Sequence, residues 1–251
     1  MRPGGLRLAV TLLTAIPLPG RARGGDPDAK TWRSAMAWAP VVGLALGGVA
    51  AGVLELSGRV LHAGPLLAAV LAVASLAALS RGLHLDGLAD LADGLGSRRP
   101  AAAALAIMRQ SDIGPFGVVT LVLTLMTQVA ALARAGELGR GYAALLVAGV
   151  GSRLAMTWAC RRGVPSARPG GLGAQVAGTV HPGVAAALTL AAFGLTVPFG
   201  VIFAASLAAG LAASLALAWA AVRRLGGITG DVLGAVAEIA VAACLLVTAF
   251  R

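Results

Sequence analysis

The chain predicts an all-α fold, a polytopic membrane helix bundle, and three observations predict it. Hydrophobic residues make up 58% of the 251 positions and charged residues 12%, with a mean hydropathy of +0.88. That charged share is about half the usual value for a soluble domain. Charge-free runs long enough to cross a bilayer recur along the whole sequence. The polar segments between them carry arginines in an alternating, one-sided way. About six to seven transmembrane helices, with interfacial or re-entrant helices beside them, account for residues 1–251 as a single integral membrane domain.

Residues 1 to 33 hold Arg2, Arg7, Arg21, Arg23, Lys30 and Arg33 around the apolar run LAVTLLTAIPLP. That run is too short to span, and it ends in Pro17 and Pro19 rather than in small residues. It therefore reads as an interfacial or re-entrant helix stopped by proline, not as a cleaved signal. Ser34 to Leu54, Val60 to Ser80, Ile113 to Ala133 and Leu138 to Cys160 are the next spans, the last interrupted by Arg153. Residues 183 to 222 are free of charge and long enough to cross twice, turning near 200, and Val232 to Phe250 is the final span. With the N-terminus in the cytoplasm, inside loops hold fifteen of the twenty basic residues. Arg59, Arg134, Arg140 and Arg251 fall outside, and Arg153 lies within a span. The net charge of +10 is thus a product of topology, with anionic lipid or a phosphorylated substrate as partner and no nucleic acid. Cys160 and Cys244 sit in apolar runs and read as packed free thiols.

The same orientation brings three polar segments to one side: residues 81–117, the loop RRGVPSARPGGLG at 161–173, and GGITGD at 226–231. The first holds Asp86, Asp90, Asp93 and Asp112, four of the ten acidic residues. Asp86, Asp90 and Asp93 are spaced i, i+4, i+7, which stacks three carboxylates on one helix face. Like charges so placed repel, and a divalent cation such as Mg²⁺ is the commonest reason to keep them. A solvated helix face beside the membrane is the plainer reading. Against it, Leu83, Leu88, Leu91 and Leu95 make the opposite face apolar, as in a docked helix. His84 suits a general base or a substrate contact, or is an ordinary interfacial histidine turned away from Asp86. In RQSDIGP, Arg109 offers a planar fork for phosphate, Ser111 lies beside it, and Asp112 is placed to cap the third span. Gly230 and Asp231 open the last span after a glycine-rich turn, where backbone N–H groups can hold phosphate. Glu238 lies on the face of Asp231, about 10 Å into the membrane. It and Arg153 either serve function or pair with each other.

Taken together, RGLHLDGLADLADGL, IMRQSDIGPFG, GGITGDVLGA, LLTAIPLP, AWAPVVGLALG and RPGGLG resemble the cobalamin synthase family, the adenosylcobinamide-GDP ribazoletransferases, in family order across nearly the whole chain. The resemblance implies a Mg²⁺-dependent, multi-pass enzyme of the bacterial cytoplasmic membrane with its site facing the cytoplasm. It would join adenosylcobinamide-GDP to α-ribazole or its 5′-phosphate and release GMP, the last assembly step of vitamin B12, beside other enzymes of that pathway. Asp86, Asp90 and Asp93 would hold the metal, with one of them or His84 taking the hydroxyl proton. Arg109, Arg153 and Arg168 would contact phosphate, and Gly226 to Asp231 would close the pocket. Family members commonly carry an acid where this chain has Gln110, so Asp112 is read as a compensating acid. A CDP-alcohol phosphotransferase is a rival, but of its DxxDGxxARx8GxxxDxxxD motif only the first half has a counterpart, DLADGLGSR at 90–98, and the later glycine and two aspartates are absent at the required spacing. A cation-coupled transporter would use Asp231, Glu238 and Arg153 as a relay, yet no internal repeat accompanies them.

Overall fold

The computed structural model describes residues 3–16, 18 and 27–250; Arg2, Pro17, Pro19, Arg21, Arg23 and Arg251, used in the topology argument, lie outside the described residues. Among the described residues there are helices and no strands beyond two isolated bridges. The helices are α1 (Pro3–Leu13), α2 (Ala29–Glu55), α3 (Pro65–Leu79), α4 (Leu83–Gly96), α5 (Ala101–Ile107), α6 (Pro115–Glu137), α7 (Gly141–Ala159), α8 (Gly171–Val176), α9 (Pro182–Thr196), α10 (Val201–Leu225) and α11 (Gly230–Thr248). Six are long and apolar enough to cross a membrane, and seven if α3 with α4 counts as one broken span. This is the polytopic helix bundle that composition predicts.

Local chemistry sets the helix ends. Pro65, Pro115 and Pro182 each stand at the start of a helix, where the missing N–H costs nothing. Asp28 caps α2 by accepting the Thr31 N–H at 2.8 Å. The turn expected near 200 falls at Gly200, whose φ of 102° suits glycine. The second span is shorter than the run Val60 to Ser80 suggests. A π-turn covers Leu56–Val60 and the helix starts at Pro65, because proline and the extended Gly64 before it restart the chain there. At 15 residues α3 is about 22 Å long, short of the bilayer core. It then breaks at Arg81 (φ 57°) and Gly82 (φ 68°), and α4 leaves at 87° to it.

The bundle is built on α7, which is buried along almost its whole length. In a membrane there is little hydrophobic drive between helices, so small residues that allow close backbone approach dominate contacts. Here α2 and α7 meet at Gly43 and Gly149, each of which would drive a Cβ into the other's carbonyl. Helix α1 packs on α2, with Gly5 against Ser34, and the Ala15 N–H donates to the carbonyl of Leu79 at 2.5 Å. By contrast α9 is largely exposed, as a lipid-facing helix should be. Cys160 and Cys244 are free and fully buried.

The two ends of the bundle differ. One collects the α2–α3 and α6–α7 junctions, where Arg140 donates to the carbonyls of Thr248 and Phe250 at the end of α11. A cavity of about 230 Å³ lies there, with Glu55, Arg59 and Glu137 among its lining. The other end collects α4, α5, the 161–181 connection and the start of α11.

Candidate functional site

Helix α4 shapes that second end. Its N-cap Gly82 offers no side chain to the free N–H groups. The helix is held instead by packing: Leu88 and Leu91 are buried, as expected from the apolar face. Leu83, expected on that face, is 46% exposed, because it lies at the break after Gly82 and leaves the α4 contact with α11 to His84 and Gly87. At the crossing a Cβ on Gly87 would stand 2.8 Å from the Asp231 backbone, and one on Gly234 would stand 3.0 Å from the His84 backbone. Two glycines, one on each helix, therefore let α4 and α11 approach as bare backbone. From His84 at the level of Gly234, α4 runs outward past Asp231, and Asp90 lies about 9 Å further along.

The three polar segments meet here. Residues 165–168 are pinned to 226–231 by two backbone bonds: Ala167 N–H to the Ile228 carbonyl (3.0 Å) and Ile228 N–H to the Pro165 carbonyl (2.9 Å). Thr229 caps α11 by accepting the Val232 N–H. Its hydroxyl also reaches Asp231 Oδ2 at 3.1 Å, and Arg168 Nη2 donates to the same oxygen at 3.3 Å. The second guanidinium nitrogen of Arg168, Nη1, is buried without a partner among the described residues, which leaves a donor beside the acids. Asp90 faces Asp86, Asp231 and Asp93. Partial burial first, then those like charges, push its carboxyl up to about 6, with Arg168 opposing.

The i, i+4, i+7 acids do not share one job. Asp93 is buried, and its two oxygens accept the Gly114 N–H (2.8 Å) and the Gly117 N–H (2.9 Å). It caps α6 from 21 residues away in sequence. This corrects the expectation that Asp112 caps that helix: the N-cap is Gly114, and Asp112 is exposed on the turn before it. A carboxylate positioned by the docked face of α4 reaches the helix start first. Among the described residues, no group of three or more His, Cys, Asp or Glu side chains is gathered as a metal cage. Mg²⁺, however, commonly takes one or two carboxylates and completes its shell with water and substrate phosphate. Asp86 and Asp90 offer two carboxylates of that kind, with Asp231 nearby across the crossing.

Beside Asp90 opens a cavity of about 440 Å³, lined by Asp93, Arg99, Gln110, Asp112 and Phe116 among others. Arg99 is tied to α10 through its carbonyl, which accepts from Arg224 at 2.8 Å. Arg109 and Ser111 are exposed on the same turn and are not lining residues. Gly230 is the first residue of α11, half-buried against Leu172.

His84 and Arg153 lie elsewhere. His84 is buried on the face of α4 away from the acids, with Nδ1 at 3.3 Å from Arg153 Nη2. Glu238 accepts from Gln128 Nε2 at 2.8 Å. Arg153 and Glu238 interact electrostatically, but no ion pair within 4 Å joins them among the described residues. Gln128 was not singled out by sequence. An amide alone in the charge-free run 113–133 was the available signal.

Residues 5–249 match the family described as CobS, cobalamin-5-phosphate synthase. An adenosylcobinamide-GDP ribazoletransferase of Frankia casuarinae is 44% identical, over 97% of this chain and 93% of its own. A ribazoletransferase of Nocardioides sp. is 42% identical over 98% of each chain, and one of Chlorobaculum tepidum 38% identical over 98% and 94%. No solved structure matches. The chain belongs to the cobalamin-5-phosphate synthase family, the adenosylcobinamide-GDP ribazoletransferases.

Proposed function

We propose that this protein transfers the adenosylcobinamide phosphate group from adenosylcobinamide-GDP to α-ribazole or its 5′-phosphate, with release of GMP. The carrying observation is the convergence of the α4 acids, Arg168 and the start of α11, with Asp90 also lining a cavity of about 440 Å³. Diphosphate cleavage asks for positive charge on the departing phosphate and an acceptor for the hydroxyl proton. Arg168 has a free, buried donor for phosphate, and Arg99 lines the cavity wall. One of the mouth aspartates, at a carboxylate oxygen not engaged by metal, would receive the proton from the attacking ribose hydroxyl. Asp86 and Asp90, with Asp231, are the residues we assign to Mg²⁺, which would neutralise the diphosphate when bound. In this assignment Asp93 holds α6 and the cavity wall in place through Gly114 and Gly117. The arginine distribution supports a bacterial cytoplasmic-membrane protein whose site opens to the cytoplasm.

The test is an assay on membranes containing the protein, with adenosylcobinamide-GDP, α-ribazole and Mg²⁺, following GMP and cobalamin with and without EDTA. Metal-dependent appearance of both products is expected. No turnover from well-inserted protein would end this reading.

A further inference from the structure

We propose that Arg153 is a positioning residue that sets the rotation of α4, and so the direction of Asp86 and Asp90, by gripping His84. The proposal rests on the ribazoletransferase reading for its kinetic readout only.

The geometry starts from the cost of the arginine. Arg153 is 4% exposed in the middle of α7, and a charge placed there needs partners. Its Nη1 donates to Ser152 Oγ at 2.8 Å, and its Nη2 meets His84 Nδ1 at 3.3 Å. A guanidinium only donates, so Nδ1 must present its lone pair and the ring proton sits on Nε2. His84 is therefore a neutral acceptor committed to Arg153. The surrounding space, lined by Ser80, Gln128 and Glu238 among others, is about 10 Å³, room for roughly one water and for no fragment of a substrate. Contact of His84 with a substrate at the mouth is excluded in this arrangement.

What the bond fixes follows from its place on the helix. Gly87 and Gly234 give α4 and α11 a smooth crossing with no side chain interlocked at its centre. Beside the apolar packing of Leu88 and Leu91, two polar anchors fix α4: Asp93 on the start of α6, and His84 on Arg153. Asp86 and Asp90 lie between these anchors. Without the inner one, only apolar packing and the outer anchor set the rotation of α4, and a shift of about 1 Å at reacting groups costs about 10²-fold in rate. Glu238, itself held by Gln128 of α6, offsets the arginine charge and ties α11 to the same network.

The experiment compares His84→Leu, which removes the acceptor, with His84→Gln, whose side-chain carbonyl can still accept from Arg153. Orientation of α4 is read without substrate, as the maleimide labelling rate of Asp86→Cys. The two native cysteines are fully buried and stay silent in the folded protein. Turnover is read separately in chains that keep Asp86. His84→Leu is expected to change the labelling rate severalfold and to lower kcat/KM by about 10²-fold, and His84→Gln to restore both. Unchanged labelling in a folded His84→Leu chain overturns the proposal. So does a His84→Gln chain that labels like the parent but turns over no better than His84→Leu, because His84 would then act on substrate. If His84→Leu fails to fold, the His84→Gln result alone decides in the same way. Labelling that responds as expected in the Asp86→Cys chains, with no cobalamin made by the chain that keeps both Asp86 and His84, removes the ribazoletransferase reading and leaves the positioning role standing.

Discussion

Two groups of charges sit one helical turn apart on α4 and behave in opposite ways. At the mouth, Asp86, Asp90, Asp231 and Arg168 share a single bond of 3.3 Å between them, and Arg168 keeps a donor unspent. In the interior, His84, Arg153, Gln128 and Glu238 are bonded to one another or to a neighbour in sequence, with Arg153 Nε left without a partner among the described residues. Water can solvate the first group, so its members remain free to exchange a neighbour for a ligand. Hydrocarbon and packed helices surround the second, so its members must satisfy one another. Polar residues in a membrane protein thus divide by environment: those left partly unpaired at a wet rim are available for chemistry, and those paired in a dry core hold shape.

The sharpest way to break the comparison is to unpair the interior. Arg153→Met leaves Glu238 buried without the charge that offsets it and His84 Nδ1 without its donor, at a cost of about 1–3 kcal/mol. Heating the detergent-solubilised variant should show a large fall in Tm. Adding Glu238→Gln should recover much of that loss, since both charges are then gone. If the double variant is as unstable as the single, the two charges are not coupled.

The mouth should respond in the reverse sense. Asp90→Asn keeps the shape, removes a charge from among like charges, and is expected to leave Tm unchanged or slightly raised. Its activity should drop by about 10²-fold or more, the usual scale for losing a group that acts on developing charge or on a proton. A variant with ordinary turnover would take Asp90 out of the chemistry.

The division was only half legible in the sequence. Charge-free runs and arginine bias located the spans, because burial in lipid leaves a long-range compositional mark that does not depend on packing detail. The acids of α4 were visible from their spacing, and the meeting of residues 81–117, 161–173 and 226–231 followed from putting them on one side. The roles within the face were not legible. Asp86, Asp90 and Asp93 look alike at i, i+4, i+7, and only the position of Gly114 and Gly117 in space separates a cap from the other two. The partner of Gln128, Glu238, and the angle of the bend at Arg81–Gly82 depend on tertiary contacts that no local pattern records.

Asp93 tests the boundary between the two classes. It belongs to the acidic face by spacing and to the interior by burial. Asp93→Ala should therefore act on stability first, costing about 1–2 kcal/mol as two N–H groups at the start of α6 lose their acceptor. Activity should fall only as far as the cavity wall at Gly114 and Pro115 loosens. Comparing Tm with kcat of the folded fraction measures this, and a silent Tm with lost kcat would move Asp93 to the mouth group.

The smallest effect expected is on pH, and it separates function from stability at the same residue. Asp90's carboxyl lies at about 6, above its ordinary value, so the folded chain holds a proton there that the unfolded chain has released. That raised value favours the folded state at low pH, and the contribution is lost as pH rises through about 6. Divalent-cation binding runs the other way, because the metal competes with that proton. The half-saturating Mg²⁺ concentration for turnover should be flat above pH 7 and climb toward about tenfold per pH unit below 6. Asp90→Asn should abolish the climb while the stability of the variant becomes less dependent on pH in the same window. A Mg²⁺ requirement that stays flat down to pH 5 in the parent chain would mean that the metal is held without Asp90.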